Sequence, residues 1–195
     1  ELVEQLRNVL VEQASNVDAV IISDYNYGVA EGPLIDVVRE TASRLGTPVL
    51  VDSRFRLSAF SGFTSATPNE DEVEHLLGLQ FKDGNGLETA GEQLRKQLGY
   101  RALLITRGSQ GMMLFEEGLA PVHIDAVGAR EPVDVTGAGD TVMAAFTLAI
   151  ASQASFADAA RLANYAGGLV VMKRGTASVS KEELEHSVLF SEVQQ

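Results

Sequence analysis

Short apolar runs that alternate with helical segments are the feature that most limits how this chain can fold. Val17–Ser23 and Val49–Val51 are rich in β-branched residues, and each leads directly into an aspartate. Continuous apolar runs of this kind are typical of strands buried on both faces of a parallel sheet. Segments with the apolar spacing of helices lie between the runs, so we predict an α/β fold with a mostly parallel sheet and helices on both faces.

The same patterns divide the whole chain into elements. Apolar periodicity, caps and glycine stops predict helices at 2–14, 33–45, 70–77, 87–98, 138–151, 156–172 and from about 180 onward, where Ser180 and Glu183 match a capping box. Further strands are predicted at 64–67, 102–106, 112–115 and 122–126, with a hairpin between the second and third of these. We expect one domain over residues 1–195, with Lys82–Leu87 as a loop.

Polar residues follow several of the predicted strands at the point where each strand ends. They are Asp24, Asp52, Asn69 and Thr106. Because parallel strands end at a common edge, and ligands bind beyond that edge in open α/β sheets, we expect these four side chains to converge on one site.

A glycine-rich turn, Asp134–Asp140, leads into an apolar, alanine-rich helix. Gly137 and Gly139 allow backbone conformations, and a close approach by another molecule, that a side chain would block. The first amides of a helix have no partners within it, and with the positive end of the helix dipole they form an anion site. Asp140 is therefore either a base that takes a proton from a hydroxyl beside a phosphoryl group, or a helix cap after a turn.

The charge of the chain excludes some classes of partner. Its formal net charge is −12 at pH 7, whereas nucleic acids and anionic membrane surfaces attract clustered cations. The absence of cysteine excludes disulfides and Cys-ligated metal centres, and the widely separated histidines show no metal-ligand spacing. No apolar run approaches the roughly 20 residues of a membrane span. We expect a cytoplasmic protein that binds neither nucleic acid nor membrane.

Four stretches resemble the ribokinase-like (PfkB) carbohydrate kinases, in the order and spacing of that family. Asp134–Asp140 resembles the carboxy-terminal signature of the family, and Thr67–Glu72 resembles its Asn-x-x-Glu element. Thr106–Gly111 is similar to its nucleotide-contacting strand and turn. Ala163–Gly168, together with Gly175–Ala177, resembles the helix and loop beside the adenine. The resemblance covers nearly the whole chain and implies a three-layer α/β/α fold.

The resemblance implies an ATP-dependent kinase that phosphorylates a hydroxyl of a sugar or sugar phosphate. Asp140 would be the catalytic base. The amides of Gly137, Ala138 and Gly139 would form the anion hole that stabilises charge on the transferred phosphoryl group. In-line phosphoryl transfer depends on positioning and charge neutralisation, which suits a site of amides, one acid and a metal.

The resemblance also implies a nucleotide site. Thr106, Gly108 and Gly111 would contact the phosphates or ribose, although the same residues also suit an ordinary hairpin turn. Asn164, on a helix of small residues, either lines the adenine pocket or satisfies a backbone group. Arg54 is a candidate for binding a phosphate of ATP or of a phosphorylated sugar, because arginine suits bidentate phosphate contacts.

For metal ions, Asn69 and Glu72 would hold the hydration shell of Mg²⁺ near the phosphates, since Mg²⁺ prefers oxygen ligands and keeps several waters. The alternative is that Asn69 caps a helix and Glu72 completes a capping box; both can hold together. A K⁺ site near Asp134 is a further implication of the family. Family members also often dimerise, so a homodimer is expected.

Within the family, the heptose-7-phosphate kinase branch is the most similar, through Ser23-Asp24-Tyr25, Gly28, Thr67-Pro68-Asn69 and 175–180. Two positions depart from that branch. Tyr27 stands where it tends to carry lysine, and Asp52 precedes Ser53-Arg54 where it tends to have Pro-Lys. Complete family members are longer, and by this matching the amino-terminal third, with the sugar-binding element and the β-lid, is missing.

Two other functions compete with a kinase. A non-catalytic nucleotide-binding or assembly module would fit a chain without its sugar site, and a fragment alone would then be inactive. A dinucleotide-dependent oxidoreductase is suggested only by Gly137-Ala138-Gly139. No Gly-x-Gly-x-x-Gly follows a first strand, and this turn precedes a helix late in the chain.

Overall fold

The computed structural model describes residues 1–81, 86–128 and 131–192, and in these it shows seven α-helices and six strands. The helices are α1 (Leu2–Ala14), α2 (Gly32–Leu45), α3 (Glu70–Leu77), α4 (Leu87–Leu98), α5 (Ala138–Ala151), α6 (Phe156–Val170) and α7 (Lys181–Glu192). The strands are β1 (Val20–Asp24), β2 (Val49–Ser53), β3 (Ser65–Ala66), β4 (Ala102–Thr106), β5 (Met112–Glu116) and β6 (Val122–Ile124). Most of the predicted loop at 82–87, and the last residues of the predicted domain, lie outside the described residues.

All six strands form one sheet in the order β1-β2-β3-β4-β5-β6. Strands β1 to β4 are parallel neighbours, and β5 and β6 then pair antiparallel. The predicted mostly parallel sheet and the hairpin between β4 and β5 are therefore confirmed. The four parallel strands also end at one edge, as the polar residues after them predicted.

The burial of β2 shows why helices cover both faces of the sheet. Val49 and Val51 pack in a core with residues of α2, α3 and α4, whereas Leu50 between them packs against α5 and α6. Side chains alternate between faces along a strand, so an unbroken apolar run is stable only when both faces are covered. Among the described helices, none is both long and apolar enough to cross a bilayer.

Two capping boxes fix helix starts that the sequence predicted. At α7, the backbone amide of Ser180 donates to Glu183 Oε2 at 2.8 Å, and the amide of Glu183 donates to Ser180 Oγ at 3.2 Å. At α3, Asn69 and Glu72 make the same reciprocal pair. Each box satisfies two amides that the helix itself leaves without partners.

Three strands are shorter than predicted, and one of them, β3, covers only Ser65–Ala66 instead of residues 64–67. β1 begins at Val20 instead of residue 17, because the ladder with β2 begins there and the amide of Val20 donates to Pro48 O at 2.9 Å. β6 ends at Ile124 instead of residue 126. The next carbonyl, that of Asp125, accepts the side-chain amide of Asn164 at 2.7 Å and so serves a tertiary contact.

Ser65 in β3 provides a test of the packing. It is 0% exposed, and its hydroxyl has no hydrogen-bond partner among the described residues. Because an unpaired buried hydroxyl costs free energy, we expect Ser65→Ala to leave the free energy of unfolding unchanged or to raise it by up to about 1 kcal/mol.

Ser53→Ala is the matched control, measured by urea unfolding. Ser53 is also buried, but its hydroxyl donates to Asp24 Oδ2 at 2.8 Å and accepts the amide of Arg56 at 3.2 Å. Its loss is expected to cost about 1–3 kcal/mol. Equal destabilisation by the two substitutions would contradict the difference in hydrogen bonding.

Candidate active site

A cavity of about 220 Å³ lies where the carboxyl end of β4 meets the start of α5 and the end of α6. Four residues predicted to contact a nucleotide line it, and they are Thr106, Gly108, Gly111 and Asn164. Ala138 and Gly139, from the predicted anion hole, line the same cavity. Its apolar walls were not foreseen from sequence, and they include Met112, Val127, Pro132, Val135, Val142 and Val171.

Close backbone approaches explain two glycines in the cavity wall. Gly111 has φ +81°, and a Cβ there would lie 2.0 Å from the carbonyl oxygen of Ile124. A Cβ on Gly168 would lie 2.2 Å from the carbonyl oxygen of Val127. Both glycines let the loop after β6 lie directly against the β4–β5 turn and α6, which closes one side of the cavity.

Asn164 combines the two alternatives that its position allowed. It is 5% exposed and lines the cavity, while its side-chain Nδ2 donates to Asp125 O at 2.7 Å. The amide therefore satisfies a backbone carbonyl and fixes the cavity wall, and its role toward a nucleotide stays a prediction.

The start of α5 has free amides that suit an anion site, although one of the three predicted donors already has a partner. Gly137 is the N-cap, and the first i to i−4 bond of the helix runs from Thr141 N to Gly137 O at 3.0 Å. The amides of Gly137 and Gly139 precede this bond and have no helical partner. The amide of Ala138 already donates to Val135 O at 3.2 Å. Of the three predicted donors, Ala138 is thus the one that must exchange a partner to bind an anion.

Asp140 lies in the first turn of α5 with its side chain exposed, beside the cavity-lining Gly139. Tyr25, directly after β1, donates its hydroxyl to Asp140 Oδ1 at 2.7 Å. This hydrogen bond, followed by burial and the charge of Asp140, raises the pKa of Tyr25 above 10.0. From the sequence, Tyr25 was named only within the Ser23-Asp24-Tyr25 resemblance and was assigned no role in the site. Its position next to the strand-end Asp24 was the available signal.

Asp52 and Glu72 form an acidic side of the candidate site, in which the charge of Asp140 acts on Asp52 and the charge of Asp52 acts on Glu72. Burial raises the pKa of Asp52, and the charge of Asp140 raises it further. Burial also raises the pKa of Glu72, to which the charge of Asp52 adds. Arg54 is exposed and opposes both shifts. It does not line the cavity, so the structure places this candidate phosphate ligand on the acidic side.

Asn69 connects the acidic side to the cavity. Its side chain accepts the amide of Glu72 at 2.8 Å, and Glu72 Oε2 accepts the amide of Asn69 at 2.9 Å, so the capping-box alternative holds. Asn69 also forms a parallel bridge with Thr106. The candidate metal residues and a candidate nucleotide residue are therefore neighbours.

The described residues contain no group of three or more His, Asp or Glu side chains arranged to hold a metal ion. Glu72 keeps Oε1 outside its capping bond. A partly buried pair of acids with raised pKa values gains from a nearby cation. The oxygen donors present fit a magnesium ion that is held mainly by water and by phosphate groups.

Asp24 does not face the cavity but forms a buried ion pair. Arg56 binds it with two nitrogens, Nη2 to Oδ1 at 3.0 Å and Nε to Oδ2 at 3.2 Å. Burial alone would raise the pKa of Asp24, but the hydrogen bonds from Arg56, Ser53 and the amide of Asn26 together lower it below 3.8. This strand-end acid thus organises the loop after β1.

Asp134 ties together two loops beside the start of α5. Its Oδ1 accepts the amide of Thr136 at 2.9 Å, and its Oδ2 accepts the amide of Gly175 at 2.9 Å. The hydrogen bond from the Thr136 amide, with further bonds from Thr136 and Gly175, lowers the pKa of Asp134. The loop that enters α5 is therefore held by the segment after α6.

The chain is similar to proteins of one known family. The model for the pfkB family of carbohydrate kinases matches residues 2–183. The bifunctional protein HldE of Nitrosococcus oceani is 46% identical over 172 residues, which cover 87% of this chain and 35% of that protein. HldE of Trichlorobacter lovleyi is 41% identical, with 94% of this chain and 38% of that protein covered. The chain thus spans less than two-fifths of these relatives.

Solved structures show the same fold. Phosphofructokinase-2 from Escherichia coli, in complex with potassium, superposes with a TM-score of 0.79 at 21% identity, covering 94% of this chain and 61% of that one. Ribokinase from Arabidopsis thaliana, in complex with ribose and ATP, gives a TM-score of 0.76 at 25% identity, covering 91% and 58%. The predicted ribokinase-like fold is confirmed.

The ion pair of Asp24 predicts the acid stability of the chain. A carboxyl whose pKa is lowered on folding stabilises the fold above its unfolded pKa, and this contribution is lost as the pH falls through the folded pKa. We therefore expect the unfolding free energy of the wild type to fall more steeply below pH 3.8 than that of Asp24→Asn.

Urea unfolding at several pH values between 2 and 6 measures this, with the exposed Asp18→Asn as the control for losing one carboxylate. A wild-type profile parallel to that of Asp24→Asn would show that the pair contributes nothing in solution.

Proposed function

This chain belongs to the pfkB family of carbohydrate kinases, and we propose that it transfers a phosphoryl group from ATP to a hydroxyl of a sugar or sugar phosphate. The observation that carries the proposal is the position of the start of α5. Ala138 and Gly139 line the cavity, and the next residue, Asp140, presents its carboxylate outside the cavity walls, beside Tyr25. A nucleotide in the cavity and an acceptor beside Asp140 would meet at these amides.

We assign the nucleotide to the cavity because its composition suits one. Apolar walls suit the faces of a base, and polar groups at one end suit a ribose and phosphates. Thr106, Gly108 and Gly111 form that end together with the start of α5. The net charge of −12 disfavours an anion, so binding must come from local amides and from a metal that accompanies the phosphates.

Asp140 is the proposed general base. An exposed carboxylate can accept a proton from an acceptor hydroxyl in hydrogen-bond reach. The amides of Gly137 and Gly139, and that of Ala138 once it leaves Val135 O, are the proposed donors to the charge that develops on the transferred group. These residues supply a base and an anion hole, which are the protein's share of in-line transfer.

Glu72 and Asn69 would hold Mg²⁺ through its waters, with Asp52 close by. When bound, the ion would neutralise phosphate charge. The raised pKa values of Asp52 and Glu72 support this role, because each acid gains a partner when a cation enters. K⁺ beside Asp134 is a second proposed ion. The support is that Asp134 links the loop entering α5 to Gly175, so a cation there would stiffen the anion hole.

A second candidate is a non-catalytic nucleotide-binding module. The specific observation in its favour is that the amide of Ala138 already donates to Val135 O at 3.2 Å, so one of the three proposed anion-hole donors is occupied. Such a module would bind ATP in the cavity without transferring its phosphoryl group.

The test of the proposed function is an assay of ATP consumption and sugar phosphorylation by the purified chain. The acceptor panel includes heptose 7-phosphate, fructose 6-phosphate and ribose, with Mg²⁺ and with or without K⁺. We expect turnover with one class of acceptor and loss of at least about a hundredfold in Asp140→Asn, because general-base catalysis typically contributes that much.

Calorimetry of ATP binding provides the control for this assay. Asp140→Asn should bind ATP as well as the wild type, since the carboxylate lies outside the cavity walls. Unchanged turnover in Asp140→Asn would remove this residue from the mechanism. ATP binding by the wild type without phosphorylation of any acceptor would favour the non-catalytic module.

A further inference from the structure

We propose that Tyr25 is a positioning residue for the Asp140 carboxylate, and that the Asp24–Arg56 ion pair holds Tyr25 in place. The inference rests on the proposed function, because positioning matters only if Asp140 acts as a base. It assigns a task to three residues, Tyr25, Asp24 and Arg56, that do not line the cavity.

The backbone on the amino-terminal side of Tyr25 is fixed by a buried network. Asp24 is the last residue of β1, and its side chain is 2% exposed. Besides the two bonds from Arg56, it accepts the Ser53 hydroxyl at 2.8 Å. β1 and the end of β2 are thereby joined by side chains as well as by the ladder.

The backbone on the carboxy-terminal side of Tyr25 is fixed by the same two residues. The amide of Asn26 donates to Asp24 Oδ1 at 3.0 Å, and Asn26 adopts a left-handed φ of 61°. Further along the loop, Arg56 donates to Ala30 O at 3.1 Å and to Glu31 Oε1 at 2.6 Å. One guanidinium therefore holds both ends of the loop that carries Tyr25.

The hydroxyl of Tyr25 is its main anchor at the site. The residue is 45% exposed, so its ring gains only part of the burial of a core tyrosine. The hydroxyl donates to Asp140 Oδ1 across 115 residues of sequence. A carboxylate has two acceptor oxygens, so this bond leaves Oδ2 available for the hydroxyl of an acceptor. The bond also fixes the rotation of the carboxylate that the proposed proton transfer requires.

The surroundings of Tyr25 keep its hydroxyl a donor. The hydrogen bond to Asp140 raises the pKa of Tyr25 above 10.0, burial and the charges of Asp140 and Asp52 add to this, and a hydrogen bond with Ser23 opposes it. The phenol thus stays protonated under ordinary conditions. Asp140 accordingly has a fixed donor beside it that carries no charge.

Steady-state kinetics of Tyr25→Phe test the role. The substitution removes one oxygen, so we expect kcat to fall on the order of tenfold, with the KM for ATP unchanged, because one hydrogen bond to a charged group is lost. Tyr27→Phe is the matched control. It lies on the same loop, is 90% exposed and should keep wild-type kcat.

Arg56→Lys tests the hold on Tyr25. Lysine keeps the charge and loses the bidentate contact with Asp24. We expect a fall in kcat similar to that in Tyr25→Phe, and no further fall when Arg56→Lys is added to Tyr25→Phe. Independent, multiplying losses would show that Arg56 does not act through Tyr25.

A thermal-melting cycle tests the Tyr25–Asp140 contact without relying on activity. Tyr25→Phe should lower the Tm in the wild-type background and leave it unchanged in an Asp140→Ala background, since the cycle isolates the pair. An equal Tm loss in both backgrounds would overturn the proposal. The proposal would also be overturned if the cycle showed a clear coupling in Tm but Tyr25→Phe left kcat unchanged in an active enzyme. A wild type without turnover contradicts the proposed function itself, and the melting cycle then decides whether the contact exists.

Discussion

The parallel pairing of β1 to β4 is the constraint on which the rest of the structure depends. Parallel strands share a direction, so the residues that follow them must meet at one edge of the sheet. That pairing brings Asp24, Asp52 and Asn69 to the same edge, although they lie at or just beyond the ends of three separate strands. The antiparallel turn to β5 then places Gly108 and Gly111 at the same edge. The site is a consequence of strand direction before any side chain is considered.

Two aspartates at this edge show how neighbouring positions acquire pKa shifts in opposite directions. Asp24 is the last residue of β1, Asp52 is the next-to-last residue of the adjacent β2, and Ser23 pairs with Asp52 in the ladder. The pKa of Asp24 is lowered because Arg56, Ser53 and Asn26 all donate to it, whereas that of Asp52 is raised by burial and by Asp140. A carboxylate whose oxygens already accept hydrogen bonds from its neighbours stabilises the fold, whereas a carboxylate with few such bonds can still bind a ligand. By this criterion Asp24 is structural and Asp52 belongs to the site.

Sequence patterns predicted the elements far better than the contacts between them. The bounds of α3, α4, β4 and α5 agree with those predicted, because cap residues, glycine stops and apolar periodicity are local signals. The cavity was foreseen only in part. Thr106 and Asn164 were predicted to line it, but three of its apolar wall residues, Val127, Pro132 and Val135, lie in loops without periodicity. The Tyr25–Asp140 bond joins residues 115 positions apart. Such a pairing leaves no local pattern in a single sequence.

The start of α5 separates two sides of the candidate site, one enclosed by protein and the other open to solvent. On the cavity side, Asn164 and Asp134 hold the walls through hydrogen bonds to backbone groups of other segments. On the side of Asp140, the Asp140 carboxylate and its partner Tyr25 are both exposed to solvent. In the proposed function, a nucleotide would draw on the enclosed side, whereas phosphoryl transfer would require both. Affinity for ATP and turnover would then be separable properties, with Asp140 at the boundary between the two sides.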